Sequence, residues 1–185
     1  MTQEDRSIIL RARKLAREAH KSIIISTQSG DMCPHVEHLQ EVADLVWAAG
    51  GTTTEIAAAW LHDSVEDTSV TIEQIKKEFG DEIANIVDGL TDKDDLKGLP
   101  ALKRKSLQAE RITSKSHSIK KIKIADQTSN VRIVATDPIK DWTFDSKREY
   151  VMGAKLIVDQ CQNIDPLLNT LFDTEYTKAA KYFGI

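Results

Sequence analysis

Apolar residues recur at helical spacing along nearly the whole chain. In residues 4–20, Ile8, Ile9, Leu10, Leu15 and Ala19 lie among charges, a helical pattern. Residues 35–49 follow Pro34 and stop at Gly50-Gly51, and Thr52-Thr53-Thr54 offers N-caps for a helix through Ile56, Ala59, Trp60 and His62. A short helix over 71–79 ends at Gly80, and 81–90 carries Ile83, Ile86, Val87 and Leu90 on one face. Helical patterns continue over 101–112, 118–135, 144–162 and 166–183, the last with Pro166 just inside its start. Val46, Trp47, Trp60 and Leu61 read as core. The exception is Ile23-Ile24-Ile25-Ser26-Thr27, a β-branched run that reads as a buried extended loop or a strand; a single such run cannot make a sheet. The polar stretch 91–98 reads as a mobile loop. The pattern predicts an all-α protein, a helical bundle of eight or nine helices with short connections, in one domain over residues 1–185.

Composition narrows the class. The chain has 185 residues, 41% hydrophobic and 29% charged, which excludes disorder over its length. Its net charge of −4 argues against a general nucleic-acid binder. No apolar run approaches the ~20 residues of a membrane span, and residues 1–17 lack the apolar stretch of a signal peptide. The expectation is a cytoplasmic protein with no membrane or nucleic-acid partner. Cys33 and Cys161 fit no CxxC spacing and read as unbridged thiols. The charge is unevenly spread: residues 62–95 hold eleven Asp or Glu against three Lys, and 102–124 hold eight Lys or Arg against one Glu. The second block reads either as a solvated helix face or as a wall that attracts phosphates.

The segment Ala58-Ala59-Trp60-Leu61-His62-Asp63 carries the chemistry. Apolar residues lead into a His-Asp pair on a helix that reads as buried. A buried Asp is costly unless it is paired or holds a metal. Imidazole nitrogen beside carboxylate oxygen suits Mn²⁺, Fe²⁺ or Zn²⁺. The plainer alternative is a capping Asp next to a hydrogen-bonded His. Glu66 and Asp67 follow at three and four positions, close to the same face of a helix. His38 lies at the start of the preceding helix, and Asp126 is followed one turn later by Asn130.

The joint order of these residues resembles the HD-domain metal phosphohydrolases, and more closely the Rel/Spo hydrolase domain and the stand-alone small alarmone hydrolases. The matching residues are Ala19-His20, Pro34-His35-Val36-Glu37-His38 against the family's PYxxHP, and the run from Ala59 to Thr68. The matches continue with Phe79-Gly80-Asp81-Glu82-Ile83, Val87, Leu90-Thr91, Lys103-Arg104-Lys105, Lys123-Ile124-Ala125-Asp126, Asn130 and Tyr150. The resemblance implies that His38, His62, Asp63 and Asp126 ligate one divalent ion, usually Mn²⁺. It implies that Glu66 and Asp67 position and activate water. Asn130 and Tyr150 would hold the ribose and phosphates of a small nucleotide, with Arg104 and Lys105 as the basic residues nearest them. It implies cleavage of the 3′-pyrophosphate of guanosine tetra- and pentaphosphate. His20, His35 and His117 are not read as ligands, although His35 lies close to His38.

The chain departs from the family at two places. A Gly-Gln-x-Arg-Lys stretch after Ala-His is replaced by Lys21-Ser22-Ile23-Ile24-Ile25-Ser26, and the family's His-Pro is His38-Leu39. Exchanging an arginine for isoleucine removes a charged, stacking group. The family arginine lies near the base, so an adenosine alarmone of the (p)ppApp type becomes a candidate substrate. The other reading is that Lys21 or Gln28 takes over the arginine's place. Two different functions stay in view: an HD nucleotide or NADPH phosphatase releasing orthophosphate, and a non-catalytic nucleotide-binding module. Trp142 and Phe144 read as packing residues.

Overall fold

The structure is a computed structural model that describes residues 1–92, 94–96, 98–137 and 139–185, and of Asp94 the backbone alone. The described residues form ten α-helices, a two-stranded hairpin and one 3-10 turn. They group into two compact units, Met1–Ile24 with Pro34–Thr91, and Ile25–Cys33 with Asp92–Ile185.

In the first unit the helices are α1 (Gln3–Ala19), α2 (His35–Ala48), α3 (Thr53–Leu61), α4 (Ser64–Asp67), α5 (Ile72–Phe79) and α6 (Asp81–Leu90). Helix α3 is the centre of this unit: α1, α2 and α6 all pack on it, and every residue from Glu55 to Leu61 is buried. Such a helix is apolar nearly all round, as a surrounded helix must be. Its one buried charge, Glu55, belongs to a reciprocal cap. The Thr52 hydroxyl accepts from the Glu55 N–H at 3.2 Å, and the Glu55 carboxylate accepts from the Thr52 N–H at 2.9 Å. Helix α2 buries Leu39, Val42, Ala43 and Val46. Trp47 lies off that stripe and is 63% exposed, which corrects the reading of it as core; Val46, Trp60 and Leu61 are buried. Between α5 and α6 stands Gly80, with φ 89° and ψ 171°. This region is open essentially to glycine alone, and it lets one helix end and the next begin at a single residue.

The second unit contains α7 (Ala101–Ile112), α8 (His117–Thr136), α9 (Phe144–Asp159) and α10 (Pro166–Phe183). Helix α8 packs against α9 and α10, and α7 packs along α9. Residues 124–129 of α8 are all buried, four of them polar. The close approach of α7 and α9 depends on Gly153, where an added Cβ would lie 2.5 Å from Lys105 Cβ and 2.7 Å from its Cγ. Gly153→Val is expected to lower stability by about 1–3 kcal/mol, the usual cost of overpacking. A thermal melt checks it. An unchanged melting midpoint would show that the two helices separate at no cost.

The β-branched run is not a buried loop. Its residues Ile24–Ser26 form β1, paired with β2 (Met32–Pro34), and Ile24 is 48% exposed. In the second unit Thr27 forms an antiparallel bridge to Ile139, and Ser29 bonds both carboxylate oxygens of Asp137, at 2.9 and 2.7 Å. Stretch 91–98, expected as a polar loop, holds the 3-10 turn Asp94–Leu96 with Leu96 buried; Lys93 and Lys97 lie outside the described residues. Cys161 is fully buried and Cys33 partly so, with no disulfide between them. Among the described residues no helix is long and apolar enough to cross a membrane.

Candidate metal centre and basic cluster

The residues singled out in the sequence fall into two groups, one in each unit. His38, His62, Asp63, Glu66 and Asp67 belong to the first unit; Arg104, Lys105, Asp126, Asn130 and Tyr150 belong to the second.

The first group is built at a helix break. The sequence predicts His62 and Asp63 inside one helix, but α3 stops at Leu61, His62 is its C-cap, and Asp63 is the N-cap of α4. The reason is local. His62 Nδ1 lies 2.8 Å from the Ala59 carbonyl oxygen. A carbonyl only accepts, so Nδ1 carries the proton and the neutral ring presents a lone pair at Nε2. That lone pair faces His38 Nε2 at 3.2 Å and Asp63 Oδ2 at 3.2 Å, with His38 Nε2 and Asp63 Oδ2 3.7 Å apart. His38 and His62 are both buried.

Two imidazole nitrogens and a carboxylate oxygen thus converge on one point. This donor set suits a first-row divalent ion. A backbone carbonyl that accepts from the remote ring N–H and fixes the tautomer is the usual support of a metal-binding histidine. The residues present therefore fit a metal. Burial alone pushes the Asp63 carboxyl up, but His62, His35 and His38 outweigh it and hold the group well below the ordinary carboxylate range. Asp67 moves the other way, raised by burial and then by the charge of Asp63. Glu66 and Asp67 occupy the exposed side of α4, one turn from Asp63.

His35, read from the sequence as a bystander, makes the shortest contact to Asp63. Its Nε2 is 3.0 Å from Asp63 Oδ2 and 3.4 Å from Asp67 Oδ2. The signal was present in the spacing: His35 and His38 are three residues apart at the start of one helix, so they share a face.

The second group is a buried polar chain. Lys105 is 3% exposed and donates from Nζ to Gln127 Oε1 at 2.5 Å. Gln127 Nε2 donates to Asp126 Oδ2 at 2.8 Å. Asp126 also accepts from Lys123 Nζ at 3.0 Å and from Asn130 Nδ2. Lys105 Nζ lies 4.0 Å from the Tyr150 ring centre, and that ring packs against Trp142. Lys105, Asp126, Asn130 and Tyr150 are thereby brought into one cluster. Arg104 is partly buried beside it. The wider reading of 102–124 as a phosphate-facing wall narrows, because Arg111 pairs with Asp95 and Lys120 donates to the Thr113 carbonyl.

Burial pushes the Lys105 ammonium down to about 7, against the pull of Asp126. Its pKa is therefore lower in the folded chain than in the unfolded chain, whose lysine keeps the ordinary value of about 10.4. Between these two values the unfolded chain binds more protons, so stability rises with pH across that window. Denaturant midpoints at pH 6.5 and 9 are expected to show this rise for the parent and to lose its Lys105 part in Lys105→Met. An equal pH dependence in both proteins would contradict it.

The comparisons agree with the helical fold. Residues 12–148 match the HD domain family model, and the chain belongs to the HD-domain family. It is 33% identical over 171 residues to guanosine-3′,5′-bis(diphosphate) 3′-pyrophosphohydrolase MESH1 of Xenopus tropicalis, covering 91% of this chain and 93% of that protein. It is 32% identical over 142 residues to the protein of the same name from Drosophila melanogaster, covering 76% of this chain and 78% of that one. Among solved structures it is similar to a metazoan ortholog of SpoT described as hydrolysing ppGpp, with a TM-score of 0.84 and 26% identity over 92% of this chain and 94% of that one.

Proposed function

We propose that this chain is a metal-dependent 3′-pyrophosphohydrolase that converts guanosine-3′,5′-bis(diphosphate) and water into guanosine 5′-diphosphate and pyrophosphate. Relatives of that name match over most of their length. The observation that carries the metal chemistry is the convergence of His38 Nε2, His62 Nε2 and Asp63 Oδ2, with the His62 tautomer set by Ala59. On the family resemblance, Asp126 is the fourth ligand, Mn²⁺ the ion, and residues 1–185 one working HD-type domain.

A divalent ion bound by these residues supplies charge neutralisation at phosphoryl oxygens and makes water a stronger acid near neutral pH. Glu66 and Asp67 stand one turn from Asp63. In this reading they orient the attacking water and accept its proton. Asp67, already pushed up by burial and by the charge of Asp63, holds a proton more readily than an ordinary carboxylate. Lys105 and Arg104 offset the negative phosphates, and Asn130 and Tyr150 hold the nucleotide. Lys105 is pre-placed for this by Gln127 and the Tyr150 ring, so little side-chain freedom is lost on binding.

The base-side segment supports a second, finer proposal. Ile23, Ile24 and Ile25 stand where the family carries an arginine, and Ile24 is exposed on the hairpin. With no guanidinium at that place, selectivity for guanine over adenine weakens. Kinetics on ppGpp and ppApp side by side test it: comparable kcat/KM values are expected, and a strong guanine preference would overturn the adenine proposal. The reaction itself is tested by chromatography of the products from ppGpp. Pyrophosphate is expected, whereas orthophosphate as the first product would point to an HD phosphatase instead.

A further inference from the structure

The first unit holds a second convergence of ligand atoms, of which the proposed reaction uses Asp67 alone. A ring nitrogen of His20, a ring nitrogen of His35 and a carboxylate oxygen of Asp67 all lie within 4.8 Å of one another. His20 follows the end of α1 and is 1% exposed. Its Nδ1 lies 2.8 Å from the Ala16 carbonyl oxygen. As in His62, the carbonyl puts the proton on Nδ1 and leaves a lone pair on Nε2. That Nε2 is buried and has no hydrogen-bond partner.

A buried acceptor without a donor is rare in a native fold and calls for an explanation. A hydrogen bond from His35 to Asp63 accounts for His35 alone; it leaves His20 Nε2 unsatisfied. A cation between His20, His35 and Asp67 satisfies all three at once. The support also repeats that of the first centre: a backbone carbonyl fixes the tautomer and points the other nitrogen at the cluster. The two clusters adjoin, because Asp63 Oδ2 is 3.0 Å from His35 Nε2 and 3.2 Å from His62 Nε2. The His35 ring lies 5.3 Å from those of both His20 and His38.

We propose that His20, His35 and Asp67 form a second divalent-cation site, joined to the His38–His62–Asp63 centre through the Asp63 carboxylate. Two imidazoles and a carboxylate select a transition ion such as Zn²⁺ or Mn²⁺ over Mg²⁺ or Ca²⁺, which prefer oxygen. The site stands on geometry within the first unit and is independent of which nucleotide is hydrolysed. It gives Asp67 a second duty, as a ligand on the side of α4 that faces His35.

Metal counting on the full chain tests it. The chelator-stripped protein is dialysed against Zn²⁺ or Mn²⁺ and the bound metal measured by mass spectrometry, without substrate. Two ions per chain are expected, falling to one in His35→Phe and in His20→Gln, each checked for an unchanged far-UV spectrum. One ion in the parent, or two ions retained in both folded variants, would overturn the proposal. Should the buried His20 or His35 variants fail to fold, electron paramagnetic resonance of the parent decides. The second equivalent of Mn²⁺ is expected to couple magnetically to the first and broaden its six-line signal, because the two ligand sets adjoin at His35 and Asp63. An uncoupled six-line signal from that equivalent would contradict the shared site. A hydrolase that works with one ion and never takes a second would sink this site and leave the proposed reaction standing.

Discussion

Asp63→Ala is expected to abolish hydrolysis, with kcat/KM at least about 10³-fold lower, roughly 4 kcal/mol of lost transition-state stabilisation. The magnitude follows from where the carboxylate sits. Asp63 Oδ2 is the atom on which three imidazoles close: His35 at 3.0 Å, His62 at 3.2 Å and His38 at 3.7 Å. Alanine removes the carboxylate on which these rings converge, so the donor set that would hold a dication loses an anionic ligand. Asp63→Asn keeps the shape without the charge and is expected to fall nearly as far. Steady-state kinetics and bound-metal measurements on the same preparations check both. A variant that kept its metal and its rate would contradict the assignment of Asp63 as ligand.

Glu66→Gln is expected to separate proton transfer from metal binding. A general acid–base group contributes typically about 10²–10⁴-fold to rate. Glutamine keeps the size of the side chain and cannot take a proton, so kcat should fall within that range. Metal content and KM should stay near those of the parent, because the family resemblance makes Glu66 a group that positions water and not a metal ligand. The split between kcat and KM is the diagnostic. A loss of bound metal would make Glu66 a ligand, and an unchanged kcat would remove it from the reaction.

Much of this was legible in the sequence. The helices over 81–90, 101–112 and 166–183 stand at their predicted limits, because their ends carry strong local signals: Gly80 before the first, Pro100 before the second, and the Asp165 cap with Pro166 at the third. The hairpin was harder to see. Met32-Cys33-Pro34 has no β-branched pattern, so the partner of the isoleucine run was invisible to periodicity. The break between α3 and α4 escaped because it is made by a side chain, His62, that reaches the Ala59 carbonyl. Trp47 is exposed because it lies off the Leu39–Val42–Ala43–Val46 stripe, and apolar type alone does not give a position on the helix face.

The site shows the same division. His38, His62 and Asp63 were named from motif order, and the structure brings them together. Lys105 was named as a basic residue of a charged face, yet it is buried. Its spacing to Ala109 and Ile112 places it on the apolar stripe of α7, a signal that outweighs charge when the ammonium has an internal acceptor. His20 and His35 do not stand out in the sequence, because a lone histidine carries no partner with it. Only the fold shows that His35 Nε2 reaches Asp63 and Asp67, and that His20 Nε2 is buried without a donor.

Release of pyrophosphate by this chain is expected to depend on an ion held at the His38–His62–Asp63 centre. The most direct measurement follows product from ppGpp with three samples of one preparation: as purified, stripped with chelator, and stripped then reloaded with Mn²⁺. Guanosine 5′-diphosphate and pyrophosphate are expected in equal amounts from the first and third samples and neither from the second. Undiminished turnover by the stripped protein, or orthophosphate in place of pyrophosphate, would contradict it.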